Sequence, residues 1–143
     1  MRVRLQFSRA VTTVLTRGNT MPSFNAVVLL SDPRVAQSLV ASMGHAFHSV
    51  RSVRSLSELR SNIAKNRAEV VVLDMELASL SDLERLSAEF PGVSIVCTHR
   101  LADETMWTTA LGAGAADICP SDDTKSILMA AIRTVTATRG AVA

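Results

Sequence analysis

Residues 68–74, Ala-Glu-Val-Val-Val-Leu-Asp, form a run of aliphatic side chains that ends in one carboxylate. The run is too short for a helix and apolar on both faces, which predicts a strand buried in the middle of a parallel sheet. In open α/β sheets, ligands bind just beyond the carboxyl ends of the strands. Asp74 is therefore the first candidate functional residue, and the alternative is that it only caps the following loop or helix.

Four further apolar runs predict the other strands: residues 24–30, 46–50, 93–97 and 116–119. Apolar residues at helical spacing lie between these runs and after the last one. Helix starts are indicated by Pro33 and by two capping-box patterns, Ser55–Glu58 and Ser81–Glu84. Strand and helix thus alternate five times, which predicts an α/β fold with a parallel sheet, helices on both faces and right-handed crossovers.

The composition is typical of one globular domain. The chain has 143 residues, of which 48% are hydrophobic and 20% charged, so a disordered protein is excluded. No apolar run approaches the length of a membrane span, and we expect no membrane partner. Tyrosine is absent, which excludes a mechanism based on tyrosine.

The formal net charge of +2 is unevenly distributed. Arg2, Arg4, Arg9 and Arg17 precede the first acid, Asp32. We therefore expect a basic extension or arm over residues 1–22 and one folded domain over residues 23–143. A signal peptide, an organellar presequence and an upstream extension before Met21 remain alternatives for the first segment. Because the basic charge lies in that segment, it does not indicate nucleic-acid binding by the folded body.

Cys97 and Cys119 form neither a metal-binding pattern nor a disulfide framework. They are interpreted as reduced thiols, which favours a cytoplasmic location. Both cysteines end strands that we expect to be neighbours. A redox or soft-metal role therefore stays open beside the simpler interpretation that both are small buried apolar residues.

Three of the predicted strands are followed by polar groups that could meet. Asp32 follows the first strand, Asp74 ends the third and Thr98 follows the fourth. Carboxylates at adjacent strand ends suit Mg²⁺, which prefers oxygen ligands. A carboxylate beside such a cation could attack phosphorus and form an acyl phosphate, with a neighbouring hydroxyl bonded to a phosphoryl oxygen.

Four segments taken together resemble the successive signatures of response-regulator receiver domains, of which CheY is the familiar member. They are residues 28–33 (Val-Leu-Leu-Ser-Asp-Pro), 70–74 (Val-Val-Val-Leu-Asp), 95–98 (Ile-Val-Cys-Thr) and 114–118 (Gly-Ala-Ala-Asp-Ile). The resemblance covers residues 24–135. It implies a flavodoxin-like, doubly wound, five-stranded parallel sheet in the order 2-1-3-4-5.

The resemblance also implies roles for single residues. Asp74 matches the phospho-accepting aspartate, and Thr98 matches the hydroxyl residue that moves toward the phosphoryl group. Asp32 matches one of the paired acids that hold Mg²⁺. Glu76 stands where the family offers a backbone carbonyl to the metal. The metal ligands expected from the resemblance are thus Asp32, Asp74 and the carbonyl of Glu76.

The sequence departs from the family pattern in the loop after Asp74 (residues 75–80), which is shorter than usual and lacks the common proline and glycine, and at three single positions. Ser31 replaces one acid of the usual pair, and Ser121 is the best match to the position of the usual lysine. Ile118 stands where the family has an aromatic switch residue. Loss of a fixed cation beside a dianionic group removes electrostatic stabilisation, so these departures indicate an atypical receiver.

A partner surface is expected around Trp107, Ile118 and Met129. In receivers the corresponding face carries the usual dimer or partner contact, and these side chains would leave it apolar. The alternative is that neighbouring side chains cover them. Because the sequence ends at Ala143, soon after the last helix, we expect no DNA-binding output domain and an output through contact with another protein.

Two functional hypotheses follow. The first is a stand-alone signalling domain, not an enzyme, that accepts a phosphoryl group on Asp74 from a histidine kinase or phosphotransfer protein. The second is a pseudo-receiver that works without phosphorylation as an interaction or dimerisation module, with a homodimer or an unknown output protein as its complex. A third hypothesis, a small enzyme or a nucleotide binder on a flavodoxin-like sheet, is disfavoured because no glycine-rich phosphate loop follows the first strand.

Overall fold

The computed structural model describes residues 24–142, and five strands alternate with five helices in this part of the chain. The strands are β1 Asn25–Leu29, β2 Ser49–Ser52, β3 Val70–Asp74, β4 Ser94–His99 and β5 Asp117–Pro120. The helices are α1 Pro33–Met43, α2 Leu56–Asn66, α3 Leu80–Glu89, α4 Glu104–Gly112 and α5 Thr124–Val142. The predicted alternation is confirmed, whereas the expected basic arm, residues 1–22, lies outside the described residues.

The five strands form one parallel sheet in the order β2-β1-β3-β4-β5, as the resemblance implies. β3 is paired on both sides, and all five of its residues are buried. The aliphatic run of β3 is continuous because helices cover both faces of the strand, as the sequence analysis predicted. The carboxyl ends of β1, β3 and β4 lie side by side at one edge.

The helices cover the sheet in two layers. The α1/α5 layer contains α1 and α5, whose buried side chains include Leu39 and Ile127. The α2/α3/α4 layer lies on the opposite face and buries Leu59, Leu83 and Ala110. Full burial of one leucine contributes about 2 kcal/mol to the free energy of unfolding, so these two aliphatic layers stabilise a core that has few aromatic residues.

Helix starts follow local capping chemistry, with one correction to the sequence prediction. The Ser55 side chain accepts from the backbone N–H of Glu58 and caps α2, as expected. The capping box of α3 is formed by Ser79 and Asp82, not by Ser81 and Glu84. Each partner of the Ser79–Asp82 pair accepts the backbone N–H of the other, which satisfies two N–H groups that the helix leaves free.

The second strand begins later than the sequence predicts. Residues 46–50 read as a strand, but the backbone N–H groups of Ala46 and Phe47 both donate to the carbonyl of Met43 and continue the turn after α1. Phe47 is nevertheless buried against the α1/α5 layer. Its apolar character therefore reflects the packing of a turn, which the alternation pattern could not distinguish from a strand.

Gly114 fixes the entry into β5. Its φ of +116° lies in the region that residues with a side chain rarely adopt, and a Cβ at this position would collide with the Ser87 side chain on α3. The turn before β5 can therefore lie directly against α3.

None of the helices in residues 24–142 combines the length and the apolar character that spanning a membrane requires.

Candidate functional site

Asp74 lies at the carboxyl end of β3 and is only 2% exposed. Its carboxylate accepts three hydrogen bonds from the chain itself. Oδ2 accepts from the backbone N–H of Ser31 at 2.9 Å and from the Ser31 hydroxyl at 2.7 Å. Oδ1 accepts from the backbone N–H of Glu76 at 2.9 Å. Asp74 is thus held by hydrogen bonds from two loops, and both of its oxygens are engaged.

The loop after β1 brings Ser31 to this carboxylate. Leu29 pairs with Leu73 across the two strands, so the residues that follow each strand leave the sheet side by side. Ser31 stands where the resemblance places an acid, and it is a donor instead of a second carboxylate. It removes the repulsion that two adjacent acids would feel and replaces it with a charge-assisted hydrogen bond.

Asp32 is directed to its own helix. Its Oδ1 accepts from the backbone N–H of Arg34 at 2.9 Å, which makes Asp32 the N-cap of α1. Pro33 occupies the first helical position, where the absence of an N–H costs nothing. The expected metal ligand is therefore an exposed helix cap.

The residues present do not form the carboxylate set that a resident Mg²⁺ requires. Among residues 24–142, no three His, Cys, Asp or Glu side chains form a group that could hold a metal ion. Asp74 Oδ2 accepts from an N–H and an O–H, Oδ1 accepts from an N–H, and Asp32 caps a helix. Mg²⁺ is bound through carboxylates that are free to face it, so the expected magnesium site stays a prediction that this donor set does not favour.

Thr98 lies opposite Asp74 in the register of β3 and β4. Its hydroxyl is buried, and Oγ1 has no hydrogen-bond partner among the described residues. The backbone of the same residue is engaged, since its carbonyl accepts from the N–H of Met75 at 2.8 Å. A buried hydroxyl without a partner is costly and uncommon, which makes Thr98 the most unusual polar group beside Asp74.

A charged pair joins the loops that follow β3 and β4. The Glu76 carboxylate accepts from Nε of Arg100 at 3.1 Å, and Nε2 of His99 lies 3.8 Å from the same oxygen. Nδ1 of His99 accepts from the backbone N–H of Leu101, which orients the ring. The side chain of Glu76 therefore connects two loops beside Asp74. Sequence reasoning missed Arg100, because nothing in its neighbourhood along the chain indicates this pairing.

No cation takes the place of the missing lysine in the described part of the chain. Asp74 forms no ion pair there, and the side chain of Ser121 forms no hydrogen bond. The backbone N–H of Ser121 donates to the carbonyl of His99 and extends the pairing of β4 with β5. The position assigned to the lysine thus contributes backbone structure and no positive charge.

Two of the three residues that were expected on a partner surface are exposed. Trp107 on α4 is 47% exposed and Met129 on α5 is 58% exposed. Leu101, in the loop before α4, adds a further apolar side chain that is 71% exposed. Ile118 was expected on this surface, but it is buried at 7% exposure within the α2/α3/α4 layer. Its side chain points from β5 into the core, so that part of the expectation is wrong.

The two cysteines lie on opposite faces of the sheet. Cys97 is in the α2/α3/α4 layer and Cys119 in the α1/α5 layer. Burial, with a smaller contribution from nearby Cys119, raises the pKa of the Cys97 thiol to about 12. Burial, with a contribution from Asp117, raises the pKa of the Cys119 thiol to about 11. A raised pKa keeps both thiols protonated at neutral pH, which does not favour the redox alternative.

No family model matches the sequence, and no curated protein matches it. Solved structures with the same fold do match. A CheY-like receiver domain protein from Methanospirillum hungatei superposes with a TM-score of 0.72 at 14% identity, covering 83% of this chain and 98% of that one. The response regulator RcsB from Salmonella typhimurium gives a TM-score of 0.70 at 15% identity, covering 80% of this chain. This chain has the receiver fold.

The receiver fold also occurs in a putative pilus assembly-related protein from Burkholderia pseudomallei, which is similar to this chain with a TM-score of 0.65 at 18% identity. That match covers 79% of this chain and 90% of the other protein. The chain spans 60% of the length of RcsB. The predicted fold is therefore confirmed, and the roles that the receiver fold implies for Asp74, Thr98 and Ser121 stay predictions.

Proposed function

We propose that the domain is an interaction module on the receiver fold that works without phosphorylation. The observation that carries this proposal is the state of Asp74: its carboxylate is buried, and Ser31 and Glu76 donate to both of its oxygens. Attack on phosphorus by Oδ2 would require Ser31 to move away, and attack by Oδ1 would weaken the hydrogen bond from the Glu76 N–H. In this proposal the buried carboxylate is a structural group that joins the loops after β1 and β3.

Electrostatics supports the same proposal. A phosphoryl group on Asp74 would add negative charge at a site where the described residues offer no ion-paired lysine or arginine. Two unit charges 4 Å apart interact by about 4 kcal/mol at a protein surface, so the missing cation is a large loss for an acyl phosphate. Ser31 stands in place of an acid, and the described residues form no metal-binding group. Both features also disfavour an acyl phosphate on Asp74.

The surface of Trp107, Met129 and Leu101 is the contact face in this proposal. Exposed apolar patches often mark protein–protein contacts, and tryptophan and methionine are enriched in such contacts. Met129 also lines a cleft of about 420 Å³ between β5 and α5, beside the ion pair of Asp117 and Arg133. A second copy of this chain is the first partner to test, and an output protein is the second.

Sedimentation velocity over a range of concentrations tests that surface. We expect reversible self-association that weakens when Trp107 is replaced by alanine or Met129 by glutamine. Leu77→Gln is the matched control, since Leu77 is an exposed apolar residue outside this surface. If Leu77→Gln reduced self-association as much as Trp107→Ala, the contact would lie elsewhere on the protein.

A second candidate function is phosphoryl acceptance on Asp74 from a histidine kinase or phosphotransfer protein. The observation that favours it is the buried Thr98 hydroxyl without a partner, opposite Asp74 in the sheet. A phosphoryl oxygen on Asp74 would be a suitable acceptor for this O–H group. Such a bond would remove the cost of the unsatisfied hydroxyl and would favour the phosphorylated state.

Titration with beryllofluoride, which mimics an acyl phosphate, separates the two candidates. Two-dimensional NMR would follow the backbone amides of Ser31, Glu76 and Thr98 at millimolar Mg²⁺, with Asp74→Asn as the control. For the interaction module we expect no saturable change. Saturable shifts that require both Mg²⁺ and Asp74 would support the phosphoryl acceptor and overturn the first proposal.

A further inference from the structure

A cleft of about 690 Å³ opens above the carboxyl ends of β1 and β2. One wall is formed by α1, and the other walls by the residues that follow β1, β2 and β3. Most of its lining is aliphatic and includes Leu30, Ala36, Val40, Val53 and Leu77. The volume lies within the range of small-molecule sites, which are concave and mostly apolar with few polar groups.

The position of the cleft in the fold is also one where ligands bind. The chain runs from β1 outward to β2 and then returns past β1 to β3, so the strand order reverses at β1. The α1 crossover covers one face of the sheet and the α2 crossover covers the other. At such a reversal the connections that leave β1 and β3 diverge and leave a crevice at the carboxyl edge. The cleft lies beside this crevice at the same edge, and Ser31 and Leu77, from the loops after β1 and β3, are part of its lining.

One charge faces the cleft. Arg54 is its only charged lining residue, and in the described part of the chain the guanidinium forms no hydrogen bond or ion pair. The Glu58 carboxylate accepts from the backbone N–H of Arg54, and Glu58 is not among the residues that line the cleft. The site therefore combines an aliphatic interior with one cation that has no partner.

We propose that this cleft binds a small amphipathic carboxylate, with its apolar body against Ala36 and Val53 and its carboxylate on Arg54. A planar guanidinium receives a carboxylate through two parallel hydrogen bonds, which fixes the orientation of the ligand. A polyphosphate does not suit the site, because one arginine cannot balance several charges. The inference stands whether or not Asp74 is ever phosphorylated.

Naphthalene-2-carboxylate is a probe of this chemistry, and naphthalene-2-carboxamide is its neutral match. Two-dimensional NMR of residues 1–143 would follow the amides of Val40, Val53 and Leu77 during titration. For a fragment of this size we expect saturable binding with a Kd on the order of 1 mM, confined to the residues around the cleft. The amide should bind about fivefold more weakly, since it cannot form a charged pair with Arg54.

Two pairs of variants test the geometry. Arg54→Gln should weaken binding of the carboxylate about fivefold, whereas Arg51→Gln, an exposed strand residue outside the lining, should leave it unchanged. Gln37→Trp should fill the cleft from its exposed rim and abolish binding, whereas Ser38→Trp, the next residue on α1, should not. Shifts that do not saturate, that centre on another surface, or that persist in Gln37→Trp would overturn the proposal. Equal affinity for the carboxylate and the amide would also overturn it.

Discussion

Ser31 donates two hydrogen bonds to the same oxygen of Asp74, one from its backbone at 2.9 Å and one from its hydroxyl at 2.7 Å. The two residues are 43 positions apart in the sequence. The pair joins the loop after β1 to the end of β3, the most buried strand. A serine at the position of an acid thus converts a site of charge repulsion into a structural contact.

Ser31→Ala removes the hydroxyl bond and keeps the backbone bond. Because hydrogen bonds to charged groups are stronger than neutral ones, we expect the free energy of unfolding to fall by about 1.5–3 kcal/mol. Urea unfolding followed by circular dichroism measures this change. Ser121→Ala is the control, since that side chain forms no hydrogen bond with described residues, and its effect should stay within about 0.5 kcal/mol. Equal effects of the two variants would contradict a stabilising role for the Ser31 hydroxyl.

Ser31→Asp places a second carboxylate against Asp74. Without divalent ions we expect the Tm to fall by several degrees, because two adjacent carboxylates repel each other. Mg²⁺ at about 10 mM should recover much of this loss in the variant and leave the Tm of the wild type unchanged. Ser31→Asn, which has a similar shape without the charge, should not respond to Mg²⁺. A rise in the Tm of the wild type with Mg²⁺ would show that the unmodified site already binds the ion.

Gly114→Ala introduces a Cβ that collides with Ser87 at a φ of +116°. We expect the free energy of unfolding to fall by about 2–4 kcal/mol, from the strained backbone and the overlap together. Gly92→Ala is the control, because nothing lies within 4 Å of a Cβ there. The double variant with Ser87→Gly should recover the part due to overlap. If the double variant recovered none of the lost stability, the whole loss would come from the strained backbone at position 114.

Ser94 and Thr134 form a buried hydrogen bond that connects β4 to α5. The Ser94 hydroxyl donates to Oγ1 of Thr134 at 2.7 Å, and the Thr134 hydroxyl donates to the carbonyl of Ala130. Thr134→Val should destabilise the protein by about 1–3 kcal/mol, because it leaves the buried Ser94 hydroxyl without an acceptor. Adding Ser94→Ala should restore part of that loss. Additive effects of the two substitutions would contradict this coupling.

Alkaline pH should destabilise the protein through Cys97. An unfolded thiol loses its proton near pH 9.0, whereas the buried thiol keeps it until about pH 12. Above pH 9 the folded state therefore binds more protons than the unfolded state, and stability falls by about 1.4 kcal/mol per pH unit up to the folded pKa. Urea unfolding at about pH 8 and about pH 10.5 would show the fall in the wild type and a smaller one in Cys97→Ala. An equal slope in both proteins would rule out Cys97 as the cause.

The architecture could be predicted from the sequence because each strand carried its own evidence. The run over residues 70–74 is aliphatic on both faces, and only a strand covered on both sides of a sheet explains this. Strand β2 was misplaced because Phe47 is apolar for a different reason, the packing of a turn against the core. A short apolar segment does not reveal whether its backbone hydrogen bonds go to a neighbouring strand or back to a helix.

The sequence predicted where the site residues lie along the chain, but not which groups their side chains contact. The sequence indicated that Asp74, Asp32 and Thr98 follow adjacent strands, and the structure places them there. That Asp32 caps its own helix and that Ser31 turns to Asp74 depend on side-chain directions in the loop, which no spacing rule gives. Ile118 was expected at the surface because its role was transferred from an exposed aromatic residue. An aliphatic side chain at this position lies in the core instead.

The two buried thiols make the protein its own reporter of local opening. Cys97 is buried beneath the α2/α3/α4 layer, whereas Cys119 lies on the opposite face and lines the cleft between β5 and α5. A thiol-specific reagent added to the native protein can therefore modify Cys97 only when the layer above it separates from the sheet, whereas it reaches Cys119 when the cleft widens. The two modification rates, measured by mass spectrometry of peptides, would compare opening of the α2/α3/α4 layer with opening at the edge of the sheet. A partner or ligand that binds one layer would slow the labelling of one cysteine and leave the other unchanged.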